Sequence, residues 1–109
     1  MTGNENLAQA WFDAFGRKDL SELALAEDLV HSSPYGDIES RQAYLDLVDQ
    51  NPAAFFSPEI TILDVIAGAD AYAVRYLVNG NPACDCIYVR DDQIAKIHSH
   101  YHVGEKPRF

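Results

Sequence analysis

The sequence predicts an α+β fold in which helices pack against a curved antiparallel sheet, and three observations carry that prediction. Apolar residues recur at helical spacing through the first half, the period changes to two from Glu59 onward, and no strand-helix-strand alternation intervenes. At 109 residues the chain has room for one domain over 1–109. Its 48% hydrophobic and 11% aromatic content can fill a core and also line a cavity.

Three helices are expected. Leu7, Trp11, Ala14 and Phe15 form one helical face, widened by Ala8 and Phe12, and Gly16 followed by Arg17 and Lys18 makes an end. Asp19 can cap a second, short helix, with Glu22 reaching back as in a capping box and Leu20, Leu23 and Ala24 on its buried side. Leu29 to Ser33 reads as a short strand stopped by Pro34 and Gly36. Ser40 caps a third helix through Ala43, Tyr44, Leu47 and Val48, stopped by Asn51 and Pro52. Ala53 to Ser57 receives no assignment.

Four strands follow, separated by turns at Gly68 to Asp70, at Asn79-Gly80 and at Asp91-Asp92. Asn79-Gly80 is a two-residue hairpin signal, which pairs Val78 with Asn81, Val74 with Asp85 and Tyr72 with Ile87. A three-residue loop of Arg90, Asp91 and Asp92 would then set Asp85 opposite Ile97 and Ile87 opposite Ala95. The inward set becomes Tyr72, Val74, Tyr76, Val78, Asp85, Ile87, Val89, Ala95, Ile97, Ser99 and Tyr101. Such a face, apolar and aromatic except for one carboxylate and one hydroxyl, suits a small-molecule pocket. Asp85 among these neighbours should have a raised pKa, because desolvation penalises its charge.

Eight basic residues against seventeen acidic ones give a net charge of -9, so the average surface repels phosphate backbones and anionic lipid. Neither nucleic acid nor a membrane is an expected partner. No run approaches a membrane span, and Met1 to Gln9 lack the basic start and apolar core of a signal peptide, so a cytoplasmic location is expected. Cys84 and Cys86 lie two apart on one side of a strand and read as free thiols.

The outward face would carry Ala71, Ala73, Arg75, Leu77, Cys84, Cys86, Tyr88, Lys96, His98 and His100. Thiolate and imidazole are zinc ligands, yet His98, His100 and His102 would spread over roughly 13 Å at ~3.3 Å per residue, too far to share one ion. No metal or other cofactor is expected. An apolar face fringed with charge fits a subunit contact, hence a homodimer.

Trp11-Phe12-Asp13-Ala14-Phe15 with Lys18-Asp19-Leu20, then His31-Ser32-Ser33-Pro34-Tyr35-Gly36, then Asp85 to Ile97, occur in an order that resembles the nuclear transport factor 2-like superfamily, with its SnoaL-like polyketide cyclases and ketosteroid isomerases. The resemblance covers about the whole chain. It implies a cone-shaped, cystatin-like sheet closed around one pocket. Two positions depart from the family pattern: Ser40 replaces the glycine before the third helix, and Asp92 the glycine of the last hairpin.

Ketosteroid isomerases place a tyrosine, an aspartate base and an acidic donor where this chain has Trp11, Ser33 and Asp85. Neutral Ser33 cannot be the base without an activating neighbour, so steroid isomerisation is not predicted. The SnoaL-like resemblance implies cyclase, dehydratase or isomerase chemistry on a small apolar carbonyl compound. Asp85 and His31 are the candidate catalytic pair, since imidazole titrates nearest neutrality. Candidate substrate-binding residues are Trp11, Phe15, Ser33, Tyr35, Tyr44, Tyr72, Val74, Tyr76, Ile87, Ile97, Ser99 and Tyr101. The alternative is a non-catalytic ligand-binding or dimeric interaction module of the same fold.

Overall fold

The computed structural model describes residues 3–101. The elements run α1 (Gly3–Arg17), β1 (Leu25–Ser33), β2 (Gly36–Glu39), α2 (Arg41–Gln50), α3 (Pro52–Phe56), β3 (Ile60–Ala67), β4 (Ala71–Val78), β5 (Asn81–Arg90) and β6 (Gln93–Tyr101). Six strands form one sheet in the order β2-β1-β6-β5-β4-β3. It is mixed, with one departure from the antiparallel expectation: β1 runs parallel to β6, pairing His31 with Ile97 and Ser32 with His98.

Helix α1 buries Ala8, Trp11 and Ala14 and ends past Gly16. Lys18 takes a left-handed φ of 61°, its N–H bonds the Phe15 carbonyl, and the Asp19 N–H bonds the Ala14 carbonyl. This pair of hydrogen bonds closes the helix C-terminus even without glycine. The predicted second helix does not form. Asp19 caps a turn instead, its carboxylate accepting the Ser21 N–H at 2.9 Å, and the chain enters β1 at Leu25, four residues earlier than expected. A helix of six residues cannot recover its nucleation cost, whereas a longer β1 buries Leu25, Ala26 and Leu29.

Ser40 precedes α2 at φ 86°, which explains the glycine usual there in the resembling family, and its hydroxyl accepts the Ala43 N–H at 3.1 Å. The unassigned segment is α3, started by Pro52 at its first turn. Strand β2 is an addition of four residues.

The β4–β5 ladder has the expected register, Val78 with Asn81, Val74 with Asp85 and Tyr72 with Ile87. The β5–β6 hairpin corrects the expected loop. Asp91 and Asp92 both adopt positive φ, 53° and 59°, so the turn holds two residues and Arg90 pairs with Gln93. Ala95 is then the extra residue of a bulge, because Tyr88 pairs with Lys96 and Val89 with Ile94. Asp85 consequently faces Ser99, not Ile97, and Ile87 faces Ile97, not Ala95. The ladder slides by two, an even number, so the face is kept. Ile94 replaces Ala95 in the core and is fully buried; the larger side chain contributes roughly 2 kcal/mol more burial.

The outer face of the sheet carries Cys84 and Cys86 as half-buried free thiols. The His98 and His100 rings stack on this face at 4.4 Å. Among the described residues no three His, Cys, Asp or Glu groups are arranged to hold a metal ion; His102 lies outside those residues. No described helix is long and apolar enough to cross a membrane.

Candidate functional site

A cavity of about 470 Å³ opens between α1, the α2–α3 corner and the concave face of the sheet. Its floor is Asp85, in the middle of β5 and only 4% exposed. Three elements aim donors at that carboxyl. The Trp11 indole N–H donates from α1 at 3.3 Å, the Tyr76 hydroxyl donates from β4 at 2.8 Å, and the Ser99 hydroxyl reaches it from the facing position on β6.

These contacts pull against burial. Desolvation pushes the Asp85 pKa above the ordinary carboxylate value, and the bonds from Ser99, Tyr76 and Trp11 each pull it back, as does the more distant His100. Burial wins because three neutral donors do not replace bulk water around a full charge. The result is a carboxyl able to hold or release a proton within the pocket.

His31 approaches from β1. Its Nε2 lies 3.5 Å from the Ser99 hydroxyl, and its ring stacks on Tyr44 at 4.7 Å between centroids. Tyr44 in turn lies 5.9 Å from Trp11, so three aromatic rings form one wall. Burial lowers the His31 pKa to about 4, opposed only by a smaller pull from its own backbone. The ring is therefore neutral at pH 7, and its Nδ1 is a buried polar atom with no hydrogen-bond partner among the described residues.

Of the residues anticipated from sequence, Trp11, Phe15, His31, Tyr35, Tyr44, Tyr76, Asp85, Ser99 and Tyr101 line this cavity. Tyr72, Val74, Ile87 and Ile97 do not. They sit in the buried core with Trp11, Leu29 and Tyr44. Ser33 stands at the rim, its hydroxyl accepting the Tyr35 N–H at 3.2 Å and meeting the Tyr101 hydroxyl. Burial raises the Tyr44, Tyr76 and Tyr101 pKa values, so all three phenols stay protonated near neutrality.

Phe12, Ala54, Phe55 and Pro58 also line the cavity, and sequence reasoning misses them as site residues. Phe12 reads only as part of the helix stripe, and the other three fall in or after the unassigned segment, where the apolar run following Pro52 is the available signal. No lysine or arginine lines the cavity among the described residues, so it offers no side-chain cation to an anionic ligand.

A six-stranded sheet covered by helices, with a largely apolar cavity and a buried carboxyl at its floor, has the nuclear transport factor 2-like fold. The model of the SnoaL-like domain matches residues 8–97, and the chain belongs to that family. Among solved structures it is similar to a candidate ketosteroid isomerase from Kribbella flavida, with a TM-score of 0.81, 20% identity, and coverage of 97% of this chain and 82% of that one. A candidate polyketide cyclase from Sinorhizobium meliloti matches with a TM-score of 0.75, 22% identity, and 91% and 99% coverage. A SnoaL-like protein of unknown function from Burkholderia thailandensis matches with a TM-score of 0.71, 21% identity, and 93% and 95% coverage. At these identities the likeness shows the fold. No curated protein sequence matches.

Proposed function

We propose that the chain, as one SnoaL-like domain over 1–109, is a cofactor-independent acid-base enzyme acting as a cyclase, dehydratase or isomerase on a small, uncharged, apolar carbonyl compound. The observation that carries this reading is the buried Asp85 carboxyl, held by Trp11 and Tyr76 at the floor of an aromatic cavity. A group so placed can store the proton that an enolising carbonyl compound gives up and return it in a later step. His31, neutral and on the adjoining wall, exchanges that proton with the ligand in concert with Asp85. Tyr35, Tyr44 and Tyr101 shape the cavity around a flat ligand, and the lack of a lining cation among the described residues favours an uncharged one.

The test works without the natural substrate in hand. Aryl methyl ketones exchange their methyl protons with heavy water through the enol, and proton NMR follows the loss of signal. The wild-type chain should accelerate exchange for at least one ketone, with Asp85→Asn and His31→Ala each slowing it on the order of 10²-fold or more. If no ketone exchanges faster than in buffer while binding is seen through quenching of Trp11, the catalytic reading fails and a binding module remains.

A second reading concerns the outer sheet face. Ile66 is 58% exposed and Tyr88 42%, on the face that also carries the two thiols and the His98–His100 stack. We propose that this face forms a homodimer, which would complete the enzyme or be the whole purpose of a non-catalytic module. The reduced thiols accord with a cytoplasmic location.

A further inference from the structure

The Ser99 hydroxyl has one hydrogen and two claimants. On one side is the Asp85 carboxyl, directly opposite it across the β5–β6 ladder; on the other is His31 Nε2, at 3.5 Å. Ser99 is 5% exposed and Asp85 4%, so neither can satisfy itself with bulk water. The remaining partners of Asp85 are pure donors here, the Trp11 indole and the Tyr76 phenol, and the ring packed flat on His31 is Tyr44. Tyr44, Tyr101 and, from the outer face, His100 also act on Asp85 through their charge or dipole. Among the described residues, Ser99 is the one that bonds toward both Asp85 and His31.

We infer that Ser99 is a one-hydrogen switch through which the protonation state of Asp85 decides which nitrogen of the His31 ring carries its hydrogen. With Asp85 protonated, its O–H donates to Ser99 Oγ, the Ser99 O–H donates to His31 Nε2, and the imidazole hydrogen sits on Nδ1. With Asp85 ionised, the Ser99 O–H turns to the carboxylate, Oγ accepts from Nε2–H, and Nδ1 is left as a bare acceptor. Both arrangements satisfy every group in this relay except Nδ1, the one buried side-chain atom with no partner among the described residues. In each case Nδ1 is what changes: a donor in the first state, an acceptor in the second.

The interconversion balances. A proton leaving Nδ1 for a ligand atom breaks N–H there; the Ser99 hydrogen passes to Nε2, and the Asp85 hydrogen passes to Oγ. One proton has left the protein, the negative charge has appeared on Asp85, and the imidazole has stayed neutral throughout. Run backwards, a proton taken up at Nδ1 ends on Asp85. This avoids a buried imidazolium, the species that the surroundings of His31 most disfavour. The catalytic meaning of the switch rests on the acid-base reading above, but the switch itself exists in the ligand-free chain and is measured there, so either can fail without the other.

The experiment is heteronuclear NMR of the ligand-free, isotope-labelled chain from about pH 4.5 to about pH 8, following the Asp85 carboxyl carbon and both His31 ring nitrogens. A protonated and a bare ring nitrogen have widely separated shifts, so a tautomer change reverses their order. The expected result is that this reversal occurs with the midpoint of the Asp85 titration. In Ser99→Ala, Asp85 still titrates and the reversal is gone or no longer follows it; in Asp85→Asn, which cannot ionise, one tautomer persists at all pH values. A His31 tautomer that ignores the Asp85 midpoint in the wild-type chain overturns the inference, and so does a reversal that survives unchanged in Ser99→Ala. Asp85→Asn keeps the side-chain volume, so a reversal still present in that variant overturns it even where Ser99→Ala fails to fold.

Discussion

Asp85 and His31 are buried with opposite consequences for charge, and each leaves a signature in stability. The folded pKa of His31 lies below its unfolded value, at about 4 instead of 6.5. The neutral ring therefore supports the fold fully above pH 6.5, and that support is lost as the pH falls from 6.5 toward 4. We expect up to roughly 3 kcal/mol of destabilisation in this window, with His31→Gln abolishing most of it, measured by urea unfolding at successive pH values. For Asp85 the sign reverses. Its folded pKa is raised, so its contribution is most favourable below the unfolded carboxylate value and is lost as pH rises through the folded one. Asp85→Asn should then gain stability relative to wild type as the pH rises, and lose that advantage in acid. A difference independent of pH would mean that the carboxyl is solvated. Tyr76→Phe removes a donor that favours the ionised form, so the Asp85 midpoint should climb further, by on the order of one unit, in the same carbon NMR titration.

Among the strands and helices, what the sequence discloses depends on whether a turn announces itself. Asn79-Gly80 does, because asparagine followed by glycine meets the left-handed requirement of both turn positions, and the whole β4–β5 ladder follows from it. Asp91-Asp92 does not. Two aspartates at φ 53° and 59° carry a steric cost that sequence reading assigns to glycine, and the bulge at Ala95 has no signal of its own. Asp85, Ser99 and Tyr101 still fall on one face because the displacement is even. The missing second helix has a different cause: Asp19 with Glu22 fits a capping box as well as a side-chain-capped turn, and only tertiary burial of Leu25 and Ala26 decides between them. Likewise the core residues Tyr72, Val74, Ile87 and Ile97 share the pocket's face, and strand phase cannot say how far along that face the helices extend. The strain at the last hairpin is removable. Asp92→Gly should stabilise the chain by about 1 kcal/mol, seen as a higher urea midpoint at unchanged slope.

Taken as a whole, the molecule is asymmetric: the Asp85 cavity is aromatic and, among the described residues, free of lining cations, while the chain carries a net charge of -9. Such a charge favours separation, so any dimer must gain its affinity from the apolar outer face of the sheet. Ile66→Glu combined with Tyr88→Glu should shift sedimentation from a dimer to a monomer, weakening association at least tenfold while leaving the far-ultraviolet spectrum intact. A wild-type chain that sediments as a monomer at high concentration would remove the homodimer.

Strand β3 closes the sheet on its open side, and every one of its residues is exposed. Ile60, Ile62, Leu63, Val65 and Ile66 make that border apolar, which is the composition of a template for runaway strand addition. The kink where the pairing with β4 loses step, between Ile62 and Asp64, and the Asp64–Arg75 ion pair beside it spoil the border for a copy of itself. Excising Leu63 would straighten it, and the shortened chain should then form fibrils that bind thioflavin while its parent stays clear.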